Sequence, residues 1–296
     1  ISFLLIRLAP GDPIATMYPP EVLARVDQEL LRQQLGLDQS VPVQYVRMMG
    51  EFASGSLQSF QERRPTYELI SERLPVTLLF TTLAIGLALL IGIPVAIIAA
   101  TRPYSLLDNV TSTAALMGLS LPQFWIALIF ILIFSEQLRW LPATGLRPIR
   151  ATEYDIFDVI PHLIMPTVVL TLGLLPSVLR YTRSSLLEIM GQGYVRTARS
   201  KGLRERAVIT RHALRNALLP VVSFVGVIFP VLLGGTVLVE QIFSLPGLGR
   251  LAVRAAENRD FPVILTLNIL AAIMVLLSNL VTDLIYTSLD PRIRLK

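Results

Sequence analysis

The run LPVTLLFTTLAIGLALLIGIPVAIIAA, residues 74–100, contains no charged side chain and decides the fold of this chain. A helix crosses the hydrocarbon core of a bilayer, about 30 Å thick, with about 20 mostly apolar residues. Gly86, Gly92 and Pro94 interrupt the run, but membrane helices tolerate such residues. The run therefore predicts a transmembrane helix over residues 74–100.

Other apolar runs of similar length follow. Residues 110–135 also lack charge, although Pro122 should bend this helix or split it into two pieces. Three further predicted spans lie at residues 162–187, 217–239 and 262–284. Residues 1–8, ISFLLIRL, are too short to span, and we expect them to be the end of a first helix. No run alternates apolar and polar residues as barrel strands do, so we expect an all-α integral membrane fold with six spans.

The composition supports this class. Among 296 residues, 53% are hydrophobic and 16% charged, whereas soluble domains typically carry about 25% charged residues. Mean hydropathy is +0.63. The chain has no cysteine, so it offers no disulfide, no Cys-ligated zinc site and no iron–sulfur cluster. An ordinary soluble domain is excluded.

The charge distribution predicts the topology. Residues 180–215 hold nine Lys or Arg against two acids, and the tail PRIRLK adds three cations. Cytoplasmic loops are enriched in Lys and Arg, so both segments should be cytoplasmic. Residues 10–73 carry six Arg against nine acids, which is typical of an exported segment. We therefore expect both termini in the cytoplasm and outward loops at residues 136–161 and 240–261.

The sequence contains no grouping that indicates catalysis. The phosphate-binding pattern G-x-x-x-x-G-K-[ST] is absent, because neither Lys201 nor Lys296 follows a glycine at that spacing. Asp155 and Asp158 are interpreted as solvated or capping carboxylates, and His162 and His212 fall on opposite predicted sides. The cores of the spans lack ionisable residues, which weighs against a proton- or sodium-driven carrier without excluding one. If ATP powers this protein, another chain must bind it.

The remaining distinctive feature is the basic segment at residues 188–216. Its part 192–201 should form a short helix that Gly202 ends in the left-handed conformation. Tyr194, Ala198 and Lys201 share one face of this helix, with Thr197 beside it. Small residues there would let a partner approach closely, and the arginines would meet acidic or carbonyl groups. A solvated basic linker is the alternative, and positive-inside bias explains the charges better than nucleic-acid binding does.

A family resemblance favours a helix that docks a partner over a solvated basic linker. The segment Tyr194-Val-Arg-Thr-Ala-Arg-Ser-Lys-Gly-Leu203, followed by His212-x-x-Arg215-Asn216-Ala217 and Leu219-Pro220, resembles the coupling loop, or EAA loop, of ATP-binding-cassette importer permeases. It is most similar to the dipeptide and oligopeptide permease family. Gly193 stands where that family usually has Asp, and Ser200 replaces an Ala.

The resemblance extends along the chain in further motifs that occur in the family's order. They are Arg7-Leu8-Ala9-Pro10-Gly11-Asp12-Pro13; Leu35-Gly36-Leu37-Asp38 with Gln44-Tyr45; Glu240-x-x-Phe243-x-x-Pro246-Gly247-Leu248-Gly249-Arg250; and Asp290-Pro291-Arg292-Ile293-Arg294.

The resemblance implies a division of labour. A second, similar permease subunit would pair with this chain, and two ATPase subunits, which bind ATP and Mg, would lie beneath them. An outer substrate-binding protein would deliver cargo. This chain would be a non-enzymatic, multi-pass subunit of a bacterial inner membrane, surrounded by lipid and without nucleic acid or cofactor. The expected ATPase-coupling residues are Tyr194, Arg196, Thr197, Ala198, Arg199, Lys201, Gly202 and Leu203.

Mechanism and cargo follow as hypotheses. Alternating access would carry the coupling helix as a lever, with Pro166, Pro176 and Pro220 as candidate hinges. Residues 9–73, with the loop at 243–260, would form an outward helical cap that docks the binding protein or only seals the outer mouth. Peptides are the favoured cargo, and nickel or another small solute is the alternative. An ion-coupled carrier or channel is the competing class. Candidate pore-lining residues are Thr81, Thr82, Ser112, Thr113 and Ser120.

Overall fold

The computed structural model describes Ile14, Glu21 and residues 27–146 and 156–289. The predicted helix end at residues 1–8, the motif from Arg7 to Pro13 and the tail motif from Asp290 to Arg294 lie outside the described residues. Within the described ranges the secondary structure is helical apart from one isolated antiparallel bridge between Gln58 and Pro65. The expected all-α class is confirmed.

In chain order, the helices are α1 (Gln28–Leu35), α2 (Val41–Ala53), α3 (Thr66–Thr101), α4 (Leu106–Ser120), α5 (Gln123–Phe130), α6 (Ile156–Met190), α7 (Gly193–Ser200), α8 (Glu205–Ala207), α9 (Leu214–Ala217), α10 (Leu219–Gly235), α11 (Val237–Ile242), α12 (Leu248–Glu257) and α13 (Phe261–Leu289). A π-helical segment, Ile131–Gln137, continues α5, and another, Val208–Ala213, joins α8 to α9.

The chain divides into two compact units. Unit 1 comprises Ile1–Thr77 and Pro246–Ile273, and unit 2 comprises Leu78–Leu245 and Met274–Lys296. Both α3 and α13 contribute residues to each unit.

Unit 1 begins with short, capped helices. The Asp27 carboxylate accepts hydrogen bonds from the backbone N–H groups of Glu29 and Leu30 at 3.0 and 3.2 Å, which satisfies two donors at the start of α1. Gly36 ends α1 at φ 65°, a conformation that glycine adopts without steric cost.

The core of unit 1 forms where α12 packs against the starts of α3 and α13. Leu248, Leu251 and Ala255 recur at helical spacing on α12 and are buried against Leu69 and Val263. Removing these apolar side chains from water is the main favourable contribution to such packing.

One buried carboxylate ties the loop before α3 to the start of α13. Asp260 accepts hydrogen bonds from the Ser59 hydroxyl and from the backbone N–H groups of Phe60 and Gln61, the latter two at 3.1 and 3.3 Å. Burial raises the pKa of Asp260 above its ordinary value, although these hydrogen bonds act in the opposite direction.

Unit 2 contains a sharp break where the sequence predicts one. Helix α4 ends at Ser120, and the axis turns by 96° before Gln123. Leu121 adopts ψ 125° and Pro122 ψ 130°, both extended. A proline disfavours the α conformation of the residue before it, so Pro122 explains why α4 stops here. The expectation that Pro122 bends or splits the run is confirmed.

Three other prolines do not interrupt their helix. Pro161, Pro166 and Pro176 lie inside the 35 residues of α6, which continues through all of them. Pro220 lies at the first turn of α10, beside a 41° bend between Glu205–Ala217 and Leu219–Leu233. The bend at Pro220 fits the hinge expectation in position, whereas Pro166 and Pro176 lie in unbroken helix.

Helices α10 and α13 approach closely through small residues. The Ser278 hydroxyl donates to the Gly226 carbonyl at 2.6 Å. A Cβ placed at Gly226 would lie 2.2 Å from Thr282 Oγ1. A nearby hydrogen bond joins the hydroxyls of Ser223 and Tyr286. The absence of a side chain at Gly226 therefore sets the distance between the two helices.

The described residues include three helices long and apolar enough to cross a membrane: Thr66–Thr101, Phe157–Met190 and Phe261–Leu289. Two bent pairs, Leu106–Ser120 with Gln123–Gln137 and Glu205–Ala217 with Leu219–Leu233, raise this to five if each pair is one span. At 1.5 Å per residue, the 36 residues of α3 extend about 54 Å, longer than the hydrocarbon core. The boundaries and the number of six spans stay predictions.

Candidate coupling segment

The basic segment forms a short helix, α7, between two well-defined ends. Gln192 precedes it in extended conformation, with φ −72° and ψ 149°. The Gly202 N–H donates to the Arg199 carbonyl at 2.9 Å, and Gly202 itself lies at φ 77°. The left-handed conformation predicted for Gly202 is confirmed. Any other residue there would be strained.

The inner face of α7 packs on its own chain. Val195 and Ala198 are buried, with relative exposures of 0% and 5%, and they pack with Val208, Ile189 and Met190. The sequence predicts that Ala198 offers a small surface to a partner. Ala198 instead contacts the core of unit 2. Its small size allows α7 to lie close to the π-helical segment after α8.

Polar contacts fix α7 further. The Asn216 side-chain amide donates to the Tyr194 hydroxyl at 3.1 Å. Arg199 donates to the Glu205 carboxylate from Nε and Nη2 at 3.1 and 2.7 Å, and its Nη2 lies 3.4 Å from Met190 Sδ. The bond to Glu205 raises the pKa of Arg199 above its ordinary value. The Arg199 side chain therefore forms an ion pair within this chain, with Glu205.

The outer face presents the rest of the predicted set. Arg196, Lys201 and Leu203 are exposed, and neither cation forms an ion pair within the described ranges. Thr197 is exposed too, but its hydroxyl donates to the Gly193 carbonyl at 3.0 Å. The structure therefore separates the eight predicted residues. Arg196, Lys201 and Leu203 form the free surface, while Tyr194, Ala198 and Arg199 hold the helix in place.

A cluster of small residues lies at the adjoining ends of the long helices. Ala100 of α3, Leu186 of α6, Ala213 and Ala217 are all buried in one group. Alanines allow backbones to approach closely. Helix α6 leads into α7 through Gly191, whose N–H donates to the Glu188 carbonyl at 3.2 Å. The ends of α3 and α6 are therefore packed closely beside the segment that leads into α7.

Sequence reasoning missed an ion pair between α4 and α6. Arg183 donates from Nε to Asp108 Oδ1 at 2.5 Å and from Nη2 to Oδ2 at 2.8 Å. Oδ2 also accepts the Tyr104 N–H at 2.9 Å. The Asp108 side chain is 2% exposed and that of Arg183 30%. The only sequence signal was a charge at the end of each of two apolar runs.

The suggested pore residues do not converge. Thr82, Thr113 and Ser120 are exposed, while Thr81 is buried and its hydroxyl has no hydrogen-bond partner in the described part of the chain. Ser112 lines a cavity of about 220 Å³ between α3, α4 and α6. The substrate pathway stays unassigned.

The predicted outer surface at residues 243–260 consists of structured elements. Within unit 1 it includes α12 and the turn that leads to Asp260. The N–H of Leu248 donates to the Thr77 hydroxyl at 2.9 Å, which fixes the start of α12. The docking role of this surface stays a prediction.

Comparison with known proteins identifies relatives over nearly the whole chain. Residues 92–295 match the family described as "Binding-protein-dependent transport system inner membrane component". The oligopeptide transport system permease protein AppB of Bacillus subtilis (strain 168) is 42% identical over 295 residues, covering 99% of this chain and 93% of that protein. A putative peptide permease protein of Brucella suis biovar 1 is 42% identical over 297 residues, covering 99% and 93%.

A solved structure shares the fold. One chain of the MetNI methionine ABC transporter in an inward-facing conformation superposes with a TM-score of 0.60 at 21% identity, covering 76% of this chain and 98% of that one. This likeness supports the architecture of the helices. By the family match and the extent of its similarity to these relatives, the chain belongs to the inner-membrane components of binding-protein-dependent transport systems.

Proposed function

We propose that this chain is the transmembrane permease subunit of an ATP-driven importer that moves di- or oligopeptides. Its family and its apolar helices make it a multi-pass membrane protein. The peptide cargo is inferred from relatives named as oligopeptide or peptide permeases, at 42% identity over 99% of this chain. A substrate-binding protein would deliver the peptide from outside.

The observation that carries the ATP-driven part is α7. It is a short helix whose inner face is packed on unit 2 and whose outer face leaves Arg196 and Lys201 free. Coupling requires an element that moves between two states as a body and that both ATP and substrate bias. A helix held by Val195, Ala198 and the Tyr194–Asn216 hydrogen bond suits that task better than a solvated linker.

The partners follow from this role. Two ATPase subunits would bind ATP and Mg and would contact the outer face of α7 with acidic side chains or backbone carbonyls. A second, similar permease subunit would complete the pathway. Both termini and α7 would lie in the cytoplasm, as the nine cations of residues 180–215 indicate.

The test uses the assembled transporter in liposomes with its ATPases and binding protein. Wild-type complex should import a labelled peptide only when ATP is present on the side of the ATPases. Arg196→Glu with Lys201→Glu should reduce import severalfold, because it places acids where cations are expected to meet acids. Arg139→Glu, at an exposed position outside both the coupling segment and the predicted docking surface, is the charge-reversal control and should leave import unchanged.

The results distinguish the alternatives. Import driven by an ion gradient through this chain alone would overturn the proposal. Import of nickel or another small solute without peptide would keep the ATP-driven permease and replace its cargo. Full import by the double reversal would reject α7 as the coupling element.

A further inference from the structure

The cavity between α3, α4 and α6 is polar at one end and apolar at the other. Ser112, Arg183 and Ser184 line the end that lies near the start of α4 and the end of α6. Leu119 and Pro176 line the opposite end. Ser112 and Leu119, like Pro176 and Arg183, are seven residues apart, which is about 10 Å along a helix axis. The cavity therefore changes from polar to apolar over about 10 Å along the helices.

Arg180 supplies the unbalanced charge of this cavity. It lines the polar end, is exposed, and has no carboxylate partner in the described part of the chain. Its guanidinium lies 5.5 Å from the Tyr181 ring centroid, and that ring lies 5.4 Å from Phe224 of α10. Arg183 is already neutralised by Asp108. The cavity thus has about one net positive charge, which matches one anionic group.

Apolar side chains of α4 are exposed on the wall of the cavity and next to it in the chain. Leu116 lines the cavity and is 62% exposed, and Val110 and Met117, which adjoin the lining residues Thr111 and Leu116 in sequence, are 57% and 63% exposed. In a chain with membrane-spanning helices, side chains of this kind favour contact with hydrocarbon over contact with water. Lys and Arg at the ends of spans place their charge at the headgroup level while their stems remain in apolar surroundings. Arg180 lies ten residues before the end of α6, toward the side of the membrane where α7 lies.

We propose that this cavity binds one anionic phospholipid, from the leaflet on the side of the membrane where α7 lies. The phosphate would contact Arg180 and the hydroxyl groups at the polar end, and an acyl chain would lie against Leu119 and Pro176. Basic pockets between transmembrane helices are suited to anionic headgroups. A free anion would satisfy Arg180 but leave the apolar end uncovered. The inference is independent of the cargo and of the role of α7.

The experiment measures lipid retained by the assembled transporter. The complex is equilibrated in nanodiscs of phosphatidylcholine and phosphatidylglycerol, transferred to mild detergent, and the bound lipids are counted by native mass spectrometry. Wild type should retain phosphatidylglycerol in preference to phosphatidylcholine. Arg180→Gln should bind phosphatidylglycerol roughly fivefold more weakly, as expected for one cation at the membrane surface. Arg204→Gln removes a charge elsewhere in the basic segment and should retain the lipid.

A second variant tests the cavity without changing charge. Ala115→Phe places a ring in the space between α4 and α6, so it should also reduce retained phosphatidylglycerol. Equal retention by wild type and Arg180→Gln would overturn the proposal, as would equal loss of both lipids in that variant. Displacement of the lipid by inorganic phosphate or by a short peptide would assign the cavity to a soluble anion. No retention of phosphatidylglycerol by the wild-type assembled complex would likewise overturn the proposal.

Discussion

Gly202 shows how one residue defines the end of the coupling segment. Its φ of 77° lies in the left-handed region, yet a Cβ there would meet open space. Gly202→Val should therefore cost about 1–2 kcal/mol through backbone strain alone. We expect fewer peptides imported per ATP hydrolysed, because the loop after α7 would change its path. Gly193→Val, also in open space but without positive φ, is the matched control, and equal coupling in both variants would contradict this role.

Asp260 predicts a pH dependence of stability. Its folded-state pKa is raised above 3.8 by burial, so the folded protein holds the proton more tightly than the unfolded chain does. The resulting stabilisation is complete below the unfolded pKa and is lost as pH rises through the raised folded pKa. The melting temperature of wild type relative to Asp260→Asn should therefore rise as the pH is lowered through this window.

The substitution also has a cost that does not depend on pH. Asn offers one acceptor oxygen, so at least one of the donor groups of Ser59, Phe60 and Gln61 would lose its acceptor. A buried donor without an acceptor lowers the free energy of unfolding by about 1–3 kcal/mol. Glu257→Gln, at an exposed carboxylate on α12, should show neither effect. A constant difference between wild type and Asp260→Asn across the acid range would refute the raised pKa.

At the scale of elements, the Asp108–Arg183 pair holds α4 against α6. Removing one partner of a buried pair leaves an uncompensated charge, which lowers the free energy of unfolding by about 3–5 kcal/mol. Because Arg183 is 30% exposed, we expect Asp108→Asn to lower the free energy of unfolding by about 2 kcal/mol. Thermal unfolding of the purified complex measures this.

A double-mutant cycle isolates the pair. Asp108→Asn combined with Arg183→Gln should cost less than the sum of the single substitutions, because the unpaired charge is gone. Glu205→Gln, which breaks the exposed pair with Arg199, should cost less than about 1 kcal/mol. Strict additivity of the two single substitutions would show that the pair does not couple α4 to α6.

The contact between α10 and α13 depends on the missing side chain of Gly226. A Cβ there would lie 2.2 Å from Thr282 Oγ1 and 3.2 Å from Thr282 Cβ, so Thr282 would have to move. Gly226→Ala should destabilise the complex by about 1–3 kcal/mol, the usual cost of overpacking. Gly86→Ala in α3 meets nothing within 4 Å and should be neutral or slightly stabilising. The prediction is wrong if both variants melt alike.

At the scale of the whole molecule, the topology can be tested directly, because the sequence contains no cysteine. Single substitutions Arg196→Cys and Glu257→Cys place thiols at exposed positions on α7 and α12. In intact cells a membrane-impermeant maleimide should label position 257 from outside, and position 196 only after permeabilisation. Labelling of both from the same side would contradict the orientation inferred from the positive-inside rule.

The sequence by itself determined the class of this protein, because long charge-free runs have few stable solutions in a bilayer. It also determined the break at Pro122 and the end of α7 at Gly202, since both follow from local backbone sterics. Only the tertiary structure decided that Ala198 faces inward and that Asp108 pairs with Arg183. It likewise decided that Asp260 ties the loop before α3 to the start of α13. Such contacts join residues far apart in the chain, and their partners are chosen by packing rather than by local conformation.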